Sequence, residues 1–362
     1  MNKEFLKQYL NTDSPSTYEI EAQKVWIDYI GNSADEIVSD NYGNTYAVLY
    51  SKDMNQDRYK VIIDAHCDEI GWMVSSIDSD GFIRVKRNGG TDNEITPSTN
   101  IKIITDKIDE DGYIIKYKGV FGTTPIHLKD GKEQFKPTVE NIYIDVFATS
   151  KEEVEQMGIE VGNYVVFDKE CEIINDKYVI GKSLDDKVGG FIIAEVIKRI
   201  EEEKVQLPYD LYVVNSVQEE VGLRGSKMIT EKIKPDVAIC FDVHFDTNTP
   251  NVDKSKYGDI KMGEGLIFRN GFDVHPYLLK LMKDVAKEKE YKYTIIVGGA
   301  GGTNTAGYNL SNGGVVTSTV SIPLRYMHTP QEIVLLDDIQ HTIDYYVELL
   351  KSIKYKHNFK LV

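Results

Sequence analysis

Residues 60–69 read KVIIDAHCDE, a short apolar, strand-like run that ends on His66 and two acids. The same pattern recurs down the chain. LYVVNSVQ (Leu211 to Gln218) leads to Glu219 and Glu220, VAICF (Val237 to Phe241) leads to Asp242, and VVTSTVSIPLRYM (Val315 to Met327) leads to His328. Asp185 opens a helix-like stretch after GKSL. Open α/β sheets place their ligands at the carboxyl ends of strands. Two His, two Asp and two Glu in that setting suit a two-metal hydrolytic centre: neutral imidazoles, anionic bridges and one spare base.

Working outward, strand and helix signals alternate through most of the chain. Glu36 to Ser39 and Thr45 to Tyr50 read as strands joined by the turn residues Asp40 to Asn44. Helical spacing carries Val188, Ile192, Val196 and Ile200, then Leu278, Leu279, Met282 and Val285, then Ile339, Ile343, Val347 and Leu350. Ser16 and Glu19 have capping-box spacing, which predicts a helix turning Ile20, Val25, Trp26 and Tyr29 inward. Between Val74 and Phe167 the texture changes. Short β-like runs (FIRV, NIKII, YIIKYKG, NIYIDVF, YVVF) alternate with Gly, Asp and Pro turns, and SKEEVEQMG is the one helical piece. The expected fold is a doubly wound α/β domain with a mixed sheet (residues 1–73 and 168–362) carrying an inserted small all-β, barrel-like domain (residues 74–167).

With 362 residues, 41% hydrophobic and 28% charged, the composition is that of an ordered globular chain of about two domains. A net charge of −16 leaves no basic stripe for nucleic acid. No apolar run approaches the roughly 20 residues that span a bilayer. The N-terminus, MNKEFLKQYL, reads as an amphipathic helix without the apolar core of a signal. Cys67, Cys171 and Cys240 are odd in number and unclustered, as buried thiols in a reducing compartment would be. The expectation is a soluble cytoplasmic protein with no membrane partner.

Each chemical candidate has a plainer reading. In AHCDE, His66 and Asp68 share a face of an extended segment, so one can bind metal while the other holds the second ring nitrogen; alternatively they form a polar strand end. In LDDKVGG, Asp185 and Asp186 are either N-terminal helix acids or, for Asp185, a carboxylate with two oxygens for two cations. In VQEEVGLRG, adjacent side chains of an extended segment point apart. One Glu can then ligate while its neighbour takes the proton of a metal-acidified water. A lone His such as His328 is more often structural; the conjunction of sites carries the argument.

AHCDEIG, GKSLDDKVGG, VQEEVGLRGS, the Asp242 strand and SIPLRYMHTPQEIV resemble, in order, the motifs of metallopeptidase family 42, the tetrahedral and glutamyl aminopeptidases once labelled cellulase M. GVFGTTPIHL and NIYIDVFATSKEEVEQMGIEVG resemble its dimerisation domain, and the likeness runs from about Leu6 to Leu350. The resemblance implies that His66 and Asp242 hold one metal, Glu220 and His328 the other, and that Asp185 bridges them. It implies Glu219 as general base, Asp68 as the residue that orients His66, two zinc or cobalt ions per chain, and short peptides with free N-termini as substrates. It also implies a homo-oligomer built from dimers, such as a dodecamer.

Two departures stand out. Where the family commonly reads GGTDAG this chain reads GGTNTAG (Gly301 to Gly307), so Asn304 replaces an acid and is expected to change the charge near the substrate. His244 stands where a small polar residue is expected, on the same face as Asp242. Gly298, Gly299, Gly301 and Gly302 lack the Lys or the spacing of a phosphate loop, and read as a place for close approach to a peptide. Two rivals frame the reading. A glycosidase using Glu219 and Glu220 would need a separation of roughly 5–9.5 Å across a sugar, and would leave both histidines without a task. A catalytically degenerate peptide binder would lack a ligand or the base, and none is missing.

Overall fold

The KVIIDAH run forms the strand Lys60–His66, near the middle of an eight-stranded mixed sheet in the computed structural model, which describes residues 1–52, 58–128, 136–298 and 302–362. In spatial order the strands are Glu36–Ser39, Thr45–Leu49, Asp210–Ser216, Lys60–His66, Val237–Phe241, Val316–Ser321, Leu266–Asn270 and Tyr293–Val297. The four from Asp210–Ser216 to Val316–Ser321 are mutually parallel, so their carboxyl ends share one rim. Antiparallel pairing flanks them on both sides.

The continuous apolar runs follow from burial on both faces. Val61, Ile63 and Ala65 belong to the large core that includes Val188, Ile192 and Val196 of the helix Leu184–Glu202. Ile62 faces the opposite way, into a cluster with Ile229 and Ile233 of the helix Arg224–Ile233 and Tyr308 of the helix Asn304–Asn309. Helices therefore cover both faces, as a doubly wound sheet requires. The helical residues expected inside are inside: Leu278, Leu279, Met282 and Val285 on Pro276–Glu288, and Ile339, Ile343, Val347 and Leu350 on Leu336–Ser352. Among the described residues no helix is long and apolar enough to cross a membrane. The three cysteines are buried and free.

The capping box at Ser16 does not form. The helix runs Ile20–Ile30 with Glu19 as its N-cap and no side-chain cap bond. Ser16 Oγ donates to Asp68 Oδ2 at 2.6 Å, and Glu19 accepts from the backbone of Thr17 and Gln218. A buried carboxylate has drawn the serine away from the helix end, because an acceptor that water cannot reach must find its donors within the protein. Ala22, Gln23, Trp26 and Ile30 are the buried residues; Ile20 is exposed, while Val25 and Tyr29 are half-buried.

Six strands close a barrel in the order Gly71–Ile77, Ile83–Asn88, Ile144–Asp145, Ile114–Phe121, Asn100–Ile108 and Tyr164–Phe167. Closure leaves no open edge. Trp72 fills the interior, edge-on to Phe121 and Phe167 with ring centres 4.9 and 5.2 Å away. Phe121 thus packs within the barrel itself, whereas Ile126 and Leu128 are exposed. The SKEEVEQMG piece is the helix Lys151–Met157, capped by Ser150 and ended by Gly158 at φ +89°.

A largely buried charge network ties the barrel to the rest of the chain. Asp13 receives Lys102 and Lys116 of the barrel at 3.2 and 2.7 Å, and Lys182 at 2.6 Å. Lys182 also meets Glu69 at 2.9 Å. Removing one partner of a buried ionic cluster strands the others without water. Lys182→Met is therefore expected to destabilise the protein by about 3–5 kcal/mol, read from the denaturant midpoint of the full chain against wild type.

Candidate metal centre

The strand ends and the start of the helix at Leu184 converge on Asp185. Its Oδ1 lies 3.3 Å from His66 Nε2 and its Oδ2 3.2 Å from His328 Nε2. His328 Nε2 is also 3.1 Å from Glu220 Oε1. Two triads result, His66–Asp185–Asp242 and Asp185–Glu220–His328, each with one donor atom per residue and all three within 4.8 Å of one another. They share Asp185. Glu219 belongs to neither, but lines the same cavity of about 560 Å³ together with His244, Arg269, Leu223, Thr303 and Met327.

Local structure explains how each side chain gets there. Asp185 and Asp186 have non-helical dihedrals although they stand inside the first turn of their helix. Glu219 and Glu220 do not sit in an extended segment as expected. The chain turns left-handed at Gln218 (φ +57°), and the backbone N–H groups of both glutamates donate to Asp68 at 2.9 and 3.2 Å. Asp68 Oδ1 also stands 3.3 Å from His66 Nδ1. His328 is itself left-handed (φ +62°), and its Nδ1 lies 3.0 Å from the carbonyl of Gly90. A carbonyl can only accept, so that ring nitrogen carries a proton and Nε2 is the nitrogen left to face the site. The Asp68 carboxylate holds a proton at His66 Nδ1 in the same way.

The electrostatics are those of a cation site. Burial raises Glu219, Glu220 and Asp242 above the ordinary carboxylate range, and neighbouring carboxylates add to it: Asp242 and Glu220 around Glu219, Asp185 around Glu220 and Asp242. Asp186, fully buried, is raised the same way, by burial and then by Asp242 and Asp185. Burial also acts on Asp185, but hydrogen bonds from His328 and His66 hold it below the ordinary range. Against its own burial, His328 is pushed up to about 12 by Asp185 and Glu220. In the structure the two imidazoles supply the positive charge, each giving its Nε2 proton to Asp185, and a bound cation would take the place of those protons. Ligands about 2.0–2.1 Å from a tetrahedral zinc stand about 3.3 Å apart, close to the spacings around Asp185. The residues present therefore fit a pair of divalent cations.

The remaining candidates fall differently. His244 lines the cavity near Asp242, and burial, then Arg269, push it down to about 4, so it is neutral at pH 7. Asn304 does not face the substrate space. It is buried, and its Nδ2 donates to Asp64 Oδ2 and Ser216 Oγ, both at 2.8 Å, beneath the rim. Gly302 lines the cavity and Gly298 is left-handed, whereas Gly299 and Gly301 lie outside the described residues. Two residues of the site, Glu332 and Arg269, escaped the sequence reading, and Asp186 was read only as a neighbouring acid. Asp186 Oδ2 accepts from His66 N at 3.3 Å, Glu332 accepts from the backbones of Asp185 and His328, and Arg269 reaches the cavity wall from a strand outside the central four. Asp186 was visible only as the second acid of a pair; nothing local marked Glu332 or Arg269.

Comparison with known proteins places this geometry. A lysyl aminopeptidase of Pyrococcus furiosus is 32% identical over 355 residues, 97% of each chain. The structure of a TET aminopeptidase from a marine-sediment archaeon of the Thaumarchaeota matches with a TM-score of 0.89 at 26% identity, covering 97% of this chain and 96% of that one. A Pyrococcus horikoshii TET1 peptidase, described as assembling into a tetrahedron or a large octahedral shell, matches with a TM-score of 0.82 at 27% identity over 96% and 98% of the two chains. Residues 43–345 match the family described as M42 glutamyl aminopeptidase. The chain belongs to that family of metallopeptidases and is an aminopeptidase.

Proposed function

We propose that the protein removes single residues from the free N-termini of short peptides, using two divalent cations, zinc or cobalt, with Glu219 as general base. The observation that supports this most directly is the carboxylate of Asp185 set between two imidazole nitrogens, with a buried glutamate beside it that belongs to neither triad. His66 and Asp242 would hold one cation, Glu220 and His328 the other, with Asp185 common to both. Bound there, the cations polarise the scissile carbonyl and acidify water. Glu219 takes the proton of the attacking water and returns it to the departing amine. Asp68 keeps His66 Nε2 aimed inward and, through the backbone of Glu219, sets where the base stands. The acids lining the cavity favour a substrate's protonated α-amine over its carboxylate end.

Assembly belongs to the same reading. We propose a homo-oligomer in which residues 74–167 form the dimerisation domain of a catalytic body made of residues 1–73 and 168–362. Ile126 and Leu128 are more than 70% exposed on the barrel segment. Apolar side chains so exposed suit a partner surface, and a relative is described as forming closed shells.

Four outcomes are expected. Metal-reconstituted protein carries two divalent ions per chain by elemental analysis, and chelation abolishes aminoacyl-substrate hydrolysis until metal is returned; a saturated stoichiometry of zero ends the reading. Glu219→Gln lowers kcat by about 10²–10⁴-fold with both ions retained, whereas Glu220→Gln loses occupancy of one site; near-wild-type turnover of a fully loaded Glu219→Gln moves the base elsewhere. A peptide with an acetylated N-terminus stays intact while its free form is shortened from that end, as followed by mass spectrometry. Light scattering at low micromolar concentration gives a mass well above the 41.1 kDa chain; a stable, active monomer overturns the assembly.

A further inference from the structure

Glu332 has no part in the chemistry above, yet it touches the backbone on both sides of the shared ligand. Its Oε1 accepts the N–H of His328 at 2.6 Å and its Oε2 accepts the N–H of Asp185 at 3.1 Å. Its side chain is buried, and among the described residues no lysine or arginine pairs with it. Glu332 opens the strand Glu332–Leu335, where it pairs with Gly181 of Tyr178–Gly181. One carboxylate thus spans the segment that delivers Asp185 and the segment that delivers His328.

Both segments need holding. Ser183 (φ +51°), Tyr326 (φ +59°) and His328 (φ +62°) are non-glycine residues in the left-handed region. Such a residue is unfavourable by itself, and persists only where its surroundings over-determine it. The two N–H donors meet different oxygens of the carboxylate, where an amide would set its NH₂ against one of them. A buried acid a few ångströms from other acids is a poor choice for stability alone. We propose that Glu332 is a positioning residue of the metal centre: it fixes Asp185 and His328 relative to one another so that both triads form around the shared carboxylate. This rests on the two-cation reading.

The test is zinc titration by calorimetry into metal-free full-length protein, with thermal melting of the same metal-free samples. Glu332→Gln presents an amide NH₂ to one of the two N–H donors. Its zinc dissociation constants are expected to rise about 10–100-fold, with both ions affected because Asp185 is common to them. Its metal-free melting temperature is expected to stay close to the wild-type value, since one of the two backbone hydrogen bonds is kept. Activity recovers in part as zinc is raised. Glu332→Asp keeps the charge but falls short by one methylene, and is expected to lose less affinity; it carries the test alone if the glutamine variant does not fold. Wild-type affinity for two zinc ions in the folded variants overturns the proposal. So does a lowered melting temperature with unchanged affinity, which is the mark of a merely structural hydrogen bond. Failure of the wild-type protein itself to bind zinc is a different result: it removes the two-cation reading, and this inference falls with it.

Discussion

Two imidazoles, each held at Nδ1 by an acceptor behind it, turn Nε2 toward the two oxygens of one buried carboxylate. The rest of the site is organised around that carboxylate. Asp186, Glu219, Glu220, Asp242 and Glu332 crowd the same volume, and burial raises every one of them. Buried carboxylates crowded in this way either repel one another or take up protons, and both courses cost stability that the cores on both sheet faces supply. This is the stability–function trade expected of a preformed metal site.

The barrel is part of that arrangement. The strand Ile83–Asn88 leads into Gly89 and Gly90, and the Gly90 carbonyl is the acceptor that holds His328 at Nδ1. A Cβ on Gly90 would stand 3.2 Å from the His328 ring, and one on Gly89, at φ +89°, would meet Ile70 at 2.9 Å. Glycine is what allows the barrel to come this close. Asn88 in turn donates to the carbonyl of Ser16, whose hydroxyl donates to Asp68. The Asp13 lysine network holds the same two bodies together from the other side. Displacement of the barrel would therefore disturb both histidines, one through Gly90 and the other through Ser16 and Asp68.

What was legible in the sequence followed from periodicity and from strand ends. Continuous apolar runs mark strands covered on both faces, and chemical residues placed directly after such runs must reach the carboxyl rim of a parallel sheet. His66, Glu219, Glu220, Asp242 and His328 were readable for that reason, and Asp185 for its place at the head of a helix. The misreadings share a cause. Ser16 and Glu19 have the spacing of a cap, but spacing does not reveal that Asp68, more than fifty residues away, competes for the serine hydroxyl. An extended path through Glu219 and Glu220 was the local default until Gln218 turned left-handed and Asp68 gathered both N–H groups. Glu332 was invisible because its function lies in backbone contacts at two distant segments.

Asn304 shows how a residue can be singled out rightly and placed wrongly. An acid exchanged for an amide beside a glycine-rich loop reads as a change in the substrate's surroundings. The structure puts it under the sheet rim, against Asp64, two residues before His66 on the same strand. Asp64 is fully buried and raised to about 7, chiefly by burial, with the Asn304 and Ser216 hydrogen bonds opposing. An ionised acid at 304 would face Asp64 acceptor to acceptor and would need a shared proton to stay there. The amide supplies a donor instead, to Asp64 and to the Ser216 hydroxyl at once. The exchange therefore bears on the charge state of the strand that carries His66. The cavity wall holds instead a neutral His244 near an Arg269 already paired with Asp273. With its histidine uncharged and its arginine paired, that part of the wall would meet the proposed substrate mainly through shape and hydrogen bonds, while the field comes from the acids that line the same cavity.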